Sequence, residues 1–154
     1  MKHSSRKLAL EQLDKKLQQF RPMQSISVPD RGWIHAIRVS LNMPLRQFAK
    51  RMGITPQSVN EIEEREATGV ITMNSLRTAA EALEMKLVYV LLPKDASLEE
   101  MIERRARVVA RSIVQRTATS MALEDQGVSK ERLEAAITAK TADILQALPR
   151  TLWD

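Results

Sequence analysis

Apolar residues recur along this chain at spacings of three and four, interrupted at a few Gly, Pro, Ser and Thr positions. That pattern predicts a mainly α protein made of successive amphipathic helices. A first helix is expected from Ser4 or Ser5 to about Phe20, with Leu10, Leu13, Leu17 and Phe20 as its seam and Pro22 as its stop. Gly32 and Trp33 open a second, whose buried face is expected to be Trp33, Ile34, Ile37 and Leu41, with Arg38 pointing out and Asn42 at its end. A third, Leu45 to Met52, puts Leu45, Phe48, Ala49 and Met52 on one stripe and turns Arg46, Gln47, Lys50 and Arg51 outward. Gly53 then supplies a residue tolerant of positive φ, and Ile54 plugs the angle to the next helix. That helix has Thr55 as N-cap and Pro56 as its first residue, with Val59 and Ile62 inward. Thr68-Gly69 breaks the chain, and Thr72 or Asn74 caps a further helix with Leu76, Ala79, Ala80 and Leu83 inward.

Two segments read as strands rather than helices. Leu87 to Leu92, LVYVLL, is β-branched and aromatic and ends at Pro93, and Ile26 to Val28 is a very short second candidate. A lone strand leaves its backbone groups unpaired, so LVYVLL is expected to pair with Ile26–Val28 or with the same strand of a second chain. Ser97 then caps a long helix with Leu98, Ile102, Ala106, Val109 and Ile113 as its apolar stripe and Arg104, Arg105, Arg107 and Arg111 on its other face. After Gly127, Ser129 caps a last helix with Leu133, Ile137, Ile144 and Leu148 inward, ended by Pro149; Leu152 and Trp153 form an apolar tail. The expected organisation is a basic N-terminal helix and arm over 1–29, a helix-turn-helix domain with a terminal strand over 30–93, and a helical dimerisation or partner-binding extension over 94–154.

Composition narrows the class. With 154 residues, five aromatics, eight Met and no cysteine, the chain favours helix, excludes a disulfide framework or thiolate metal site, and suits a reducing cytoplasm. No stretch approaches a membrane span. Of the net charge of +5, residues 1–32 carry seven Lys/Arg against three acids, whereas 94–154 are balanced at ten each. A basic arm of this kind supplies sequence-independent attraction to phosphate.

The most informative stretch is Leu45 to Glu63, which reads as a helix, a glycine turn and a second helix with a free outer face. Pro56, Gln57, Ser58, Asn60 and Glu61 occupy its first exposed turns, the part of a recognition helix that meets base edges in the major groove. Gln57 has the amide to bond adenine bidentately and Glu61 the carboxylate to accept from cytosine. Arg38, Arg46, Lys50 and Thr55 are the candidate phosphate contacts. The acidic run Glu61, Glu63, Glu64 and Glu66 opposes phosphate, so such a helix must engage by its N-terminal tip.

Residues 30 to 85 resemble the helix-turn-helix domain of phage Cro and C1-type repressors, the XRE group, although Leu45 and Pro56 stand where those repressors often have glutamine. The whole chain resembles a narrower family, mobile mystery protein A, through GWIHAIRVSLNM at 32–43, RMGITPQSVNEIEEREATGVITMNSLRTAAEALEMKLVYVLLP at 51–93 and SMALEDQGV at 120–128. That resemblance implies a DNA-binding antitoxin or regulator paired with a Fic/Doc-type toxin. A homodimer autoregulating at an inverted repeat of double-stranded DNA near its own promoter is expected, because a monomer meets too few phosphates. Fic inhibitors share a short helical motif of Ser or Thr, three residues, Glu, then Gly or Asn. Here Ser120 and Glu124 match it, and Asp125 departs from it.

Material for catalysis is scarce. His3 and His35 stand alone, no metal-ligand or nucleophile motif is present, and the Fic catalytic signature is absent, so neither enzyme, metal nor cofactor is expected. Two other readings stay open: a stand-alone XRE-type repressor with no toxin partner, and a protein-interaction module with a vestigial helix-turn-helix.

Overall fold

The computed structural model describes residues 2–123 and 129–154. Its helices are α1 (Lys2–Gln18), α2 (Gly32–Ser40), α3 (Leu45–Met52), α4 (Pro56–Thr68), α5 (Met73–Ala82), α6 (Leu98–Leu123) and α7 (Lys130–Ala147), with short 3₁₀ turns at Arg21–Ser25 and Arg150–Trp153. They gather into two compact units, one of residues 22–90 and one of residues 1–21 with 91–154. These units divide the chain differently from the expected boundaries, because α1 packs with α6 instead of standing as a separate arm.

In the unit of residues 22–90, Ile34, Phe48, Ala49, Val59, Ala79 and Leu83 form the core, ringed by half-buried residues such as Leu45, Met52, Ile54 and Ile62. The periodicity of α3, α4 and α5 had pointed to these side chains, and Phe48 and Val59 are fully enclosed. Thr72, rather than Asn74, caps α5, its hydroxyl accepting from the Ser75 N–H.

Helix α2 corrects the sequence reading. Trp33 and Leu41, both expected in the core, are 44% and 51% exposed, whereas Arg38, expected to point out, is only 8% exposed. The cause lies on α4. Glu63 is buried there, and a buried carboxylate is tolerable only when its charge and lone pairs are met. Arg38 meets both oxygens, its Nε 2.5 Å from Oε1 and its Nη2 3.1 Å from Oε2, while His35 Nδ1 lies 2.8 Å from the same Oε2. Arg38 Nη1 also donates to the Met43 carbonyl at 2.9 Å, tying the α2–α3 turn into the cluster. Ile34 and Arg38 are one helical turn apart, so the face that buries Ile34 carries the arginine inward too.

No strand forms among the described residues. Ile26–Val28 and Leu87–Leu92 both run without regular secondary structure, and no backbone hydrogen bond joins them. Their β propensity is real, but a strand exists only against a paired edge, and neither segment has one among the described residues.

In the other unit α6 and α7 pack around Ala106, Ala110, Ile137, Ile144 and Leu152, the two alanines allowing close approach. Ile113, expected inward, is 39% exposed. The apolar tail is half integrated, with Leu152 buried and Trp153 exposed. Arg105, expected on the outer face of α6, instead donates to the Leu152 carbonyl at 2.6 Å and to the Asp154 carbonyl. Asp14 of α1 caps α6 from outside, accepting from the N–H groups of Leu98 at 2.7 Å and Glu99 at 3.1 Å, and Ser97 accepts from that of Glu100 at 3.0 Å. Three of the four orphan donors at that helix end are thereby satisfied. Ser129 caps α7 likewise.

Glu63 generates two expectations. Glu63→Ala leaves Arg38 buried without its counter-charge and should cost about 3–5 kcal/mol in urea unfolding, whereas a double replacement, Arg38→Met with Glu63→Leu, should cost much less. The second concerns pH. Burial pushes the Glu63 carboxyl up, but hydrogen bonds and charge from Arg38 and His35 together outweigh it and hold the group below the ordinary 4.5. A depressed carboxyl stabilises fully above its unfolded value and loses that contribution as pH falls through its folded value. The stability gap between the native chain and Glu63→Gln should therefore be widest near neutrality and close as pH drops below 4.5.

Candidate nucleic-acid interface

The connection between α3 and α4 is three residues long, and each has a separate task. Gly53 ends α3 at φ 68°, a left-handed conformation suited to glycine. Ile54 sends its N–H back to the Ala49 carbonyl at 3.0 Å and its side chain into the core. Thr55 is extended and caps α4, its hydroxyl accepting from the Ser58 N–H at 3.1 Å, with Pro56 as the first helical residue. The outcome is a helix start that stands clear, with Thr55, Pro56 and Gln57 all exposed.

Side chains around that start differ in how free they are. Gln57, Arg46 and Lys50 are exposed and make no side-chain hydrogen bond or ion pair among the described residues. Asn60 is half-buried and donates to Glu64 Oε1 at 2.9 Å. Glu61 lies 3.9 Å from Arg65, and Ser58 shares a hydrogen bond with Thr55 at 2.9 Å. Arg51, expected to face outward, is exposed and donates to the Ala82 carbonyl at 3.1 Å. Arg38 is a correction to the phosphate set, since its guanidinium is spent on Glu63 inside the domain.

Of the acidic run expected to oppose phosphate, two carboxylates, Glu63 and Glu66, turn toward α2, while Glu61 and Glu64 stay exposed. Glu63 is buried under α2, and Glu66 reaches the start of α2, where it accepts from the N–H groups of Trp33 at 3.0 Å and Ile34 at 2.8 Å. Arg31 offers α2 no side-chain cap, so the carboxylate from α4 takes over that role and meets the positive end of the helix dipole. Gly32, at φ 84°, leaves the room it needs, because a Cβ there would come within 2.6 Å of Oε2. Neither long-range task of α4 was anticipated from the sequence.

The comparison with protein families bears on this geometry: a helix-turn-helix family model matches residues 34–90. Residues 34–90 are a helix-turn-helix domain of the XRE type. The match spans α2 to α5 and the segment after it, and it supports a DNA-binding transcriptional regulator. No curated protein and no solved structure matches the chain.

Outside the helix-turn-helix domain, the expected inhibitory pair divides. Ser120 is exposed on α6 with its hydroxyl donating to the Arg116 carbonyl at 3.2 Å, and Glu124 lies outside the described residues. The arginine face of α6 is largely engaged. Arg104 forks onto Asp95 at 3.0 and 2.9 Å, and Arg107 reaches Glu134 at 3.2 Å, while Arg111 has no partner among the described residues. The hydrogen bonds from Arg104, aided by its charge, hold the Asp95 carboxyl below its ordinary value against an opposing desolvation. No cluster suited to a metal ion occurs among the described residues, and no helix there is long and apolar enough to cross a membrane.

Removing the α4 cap tests the local construction. Thr55→Val keeps the shape of the side chain but not its acceptor, and thermal unfolding should show a loss of about 1 kcal/mol.

Proposed function

We propose that this chain is a DNA-binding antitoxin and transcriptional autoregulator: a homodimer sets two copies of α4 into successive major grooves of an inverted repeat near its own promoter, and the chain neutralises a Fic-domain toxin. The observation that carries the DNA half is the unpartnered amide of Gln57 at the exposed tip of α4 in a helix-turn-helix domain. Pro56, Gln57, Ser58, Asn60 and Glu61 are the base-facing set, with Gln57 foremost because Asn60 and Glu61 are already engaged along the helix. Arg46, Lys50 and the Thr55 edge face phosphate. Two copies matter because a single copy neutralises few phosphates, and paired half-sites double the contacts and steepen the salt dependence.

The toxin half is supported by the sequence resemblance and by Ser120 and Glu124. A stand-alone repressor with the same DNA chemistry and no toxin is the second reading, favoured by the engagement of Arg104, Arg105 and Arg107, three of the five α6 arginines, inside their own unit.

Gel shifts with the DNA upstream of its gene test the first half. Gln57→Ala should weaken binding at least about tenfold, the loss of a bidentate base contact at each half-site, and Asn60→Ala by less. Arg46→Ala should shallow the slope of log affinity against log salt by about 2, two phosphates per dimer, with little change in base preference. Undiminished binding by Gln57→Ala removes α4 from base reading. Coexpression with the Fic protein tests the second half: the native chain should suppress toxicity and Glu124→Gly should release it. Intact control by the variant removes Glu124 from inhibition, and toxicity that the native chain fails to suppress leaves the repressor reading.

A further inference from the structure

Leu87–Leu92 is the most conspicuous unspent feature of the chain. Six consecutive apolar residues, β-branched and aromatic in the middle, run without secondary structure, and their backbone groups make no hydrogen bond among the described residues. Val88, Tyr89 and Leu91 are 57%, 70% and 86% exposed. A segment of this composition with open edges is a template for another strand. Lys86 on one side and Pro93 and Lys94 on the other bound the apolar run, and Pro93, with no N–H to donate, stops a ladder at Leu92. Ile26–Val28 makes no backbone hydrogen bond to it among the described residues, which leaves its edges open to a second chain.

We infer that two copies of this chain associate by pairing Leu87–Leu92 antiparallel with itself about a two-fold axis at Tyr89. The inference rests on the dimer of the proposed function and assigns its surface. In an isologous antiparallel pair one residue must lie opposite itself. Centring on Val90 sets Lys86 against Lys94, a like-charge pair. Centring on Tyr89 avoids it, and sets Leu87 against Leu91, Val88 against Val90 and Lys86 against Leu92. This register keeps the six residues in apolar company except where the Lys86 stem lies along Leu92. A six-residue ribbon is much smaller than a standard interface of about 1,600 Å², so the association is expected to be modest in free solution and tightened by DNA that carries both half-sites.

The absence of cysteine makes the register directly testable in the full chain. Directly opposed residues lie within disulfide reach. Tyr89→Cys should therefore form a covalent dimer under mild oxidation. Leu87→Cys and Leu91→Cys should each stay monomeric alone but cross-link when mixed. Tyr89→Lys and Tyr89→Glu should each raise the dimer dissociation constant by at least about tenfold, and mixing the two should restore association, which a misfolded variant cannot do. No covalent dimer from Tyr89→Cys, equal cross-linking at all three positions, or native association by Tyr89→Lys overturns the inference. A covalent Tyr89→Cys dimer that ignores DNA leaves this surface standing and removes the regulatory reading. DNA binding by a chain that gives no such dimer does the reverse.

Discussion

The Glu63 carboxylate is buried beneath α2, and the cost of taking that charge out of water is met by Arg38 and His35. The same contact fixes α2 against α4, since the two partners lie on successive positions of one α2 face. One turn further along α4, Glu66 closes the start of α2. Together the two carboxylates clasp α2 from positions well along α4 and leave Pro56 and Gln57 at its start exposed. The orientation of the tip therefore follows from this clasp together with the packing of Val59 and Ile54 in the core.

This arrangement resolves an electrostatic conflict. A recognition helix with four glutamates in six positions would repel phosphate if they all faced outward. Two of them are instead committed to α2, and the other two are engaged along α4 by Asn60 and Arg65. Cationic groups without a partner among the described residues stay on α3, where Arg46 and Lys50 are exposed, and the amide of Gln57 at the tip is likewise unpaired among them. Charge is thus sorted within the domain, although the sequence interleaves it.

Local signals in the sequence were reliable guides to local structure. Thr55-Pro56, Gly53, Thr72, Ser97 and Ser129 each act within four residues of themselves, and each sits where its chemistry requires. The buried stripes of α3 to α5 were legible for the same reason, since one helix's periodicity records which face is covered. Long-range pairings were not. Arg38 reads as solvent-facing until Glu63, 25 residues on, is known to be buried, and Trp33 and Leu41 read as core until that arginine takes the inward position. Asp14 caps α6 from 84 residues away, a link that joins α1 to the C-terminal helices and that no spacing rule anticipates. The expected strands are a related case: β propensity describes a residue, but a ladder belongs to two segments, and neither segment is paired among the described residues.

The central claim is that the clasp on α2 leaves the start of α4, with Gln57 foremost, free to meet DNA. Its most direct measurement is backbone amide NMR during titration with a duplex from upstream of the gene. Shifts should concentrate at residues 46–50 and 55–60, with the amides of Trp33 and Ile34, held by Glu66, unmoved. Shifts confined to residues 94–154, or none at the α4 tip at saturating DNA, would contradict it.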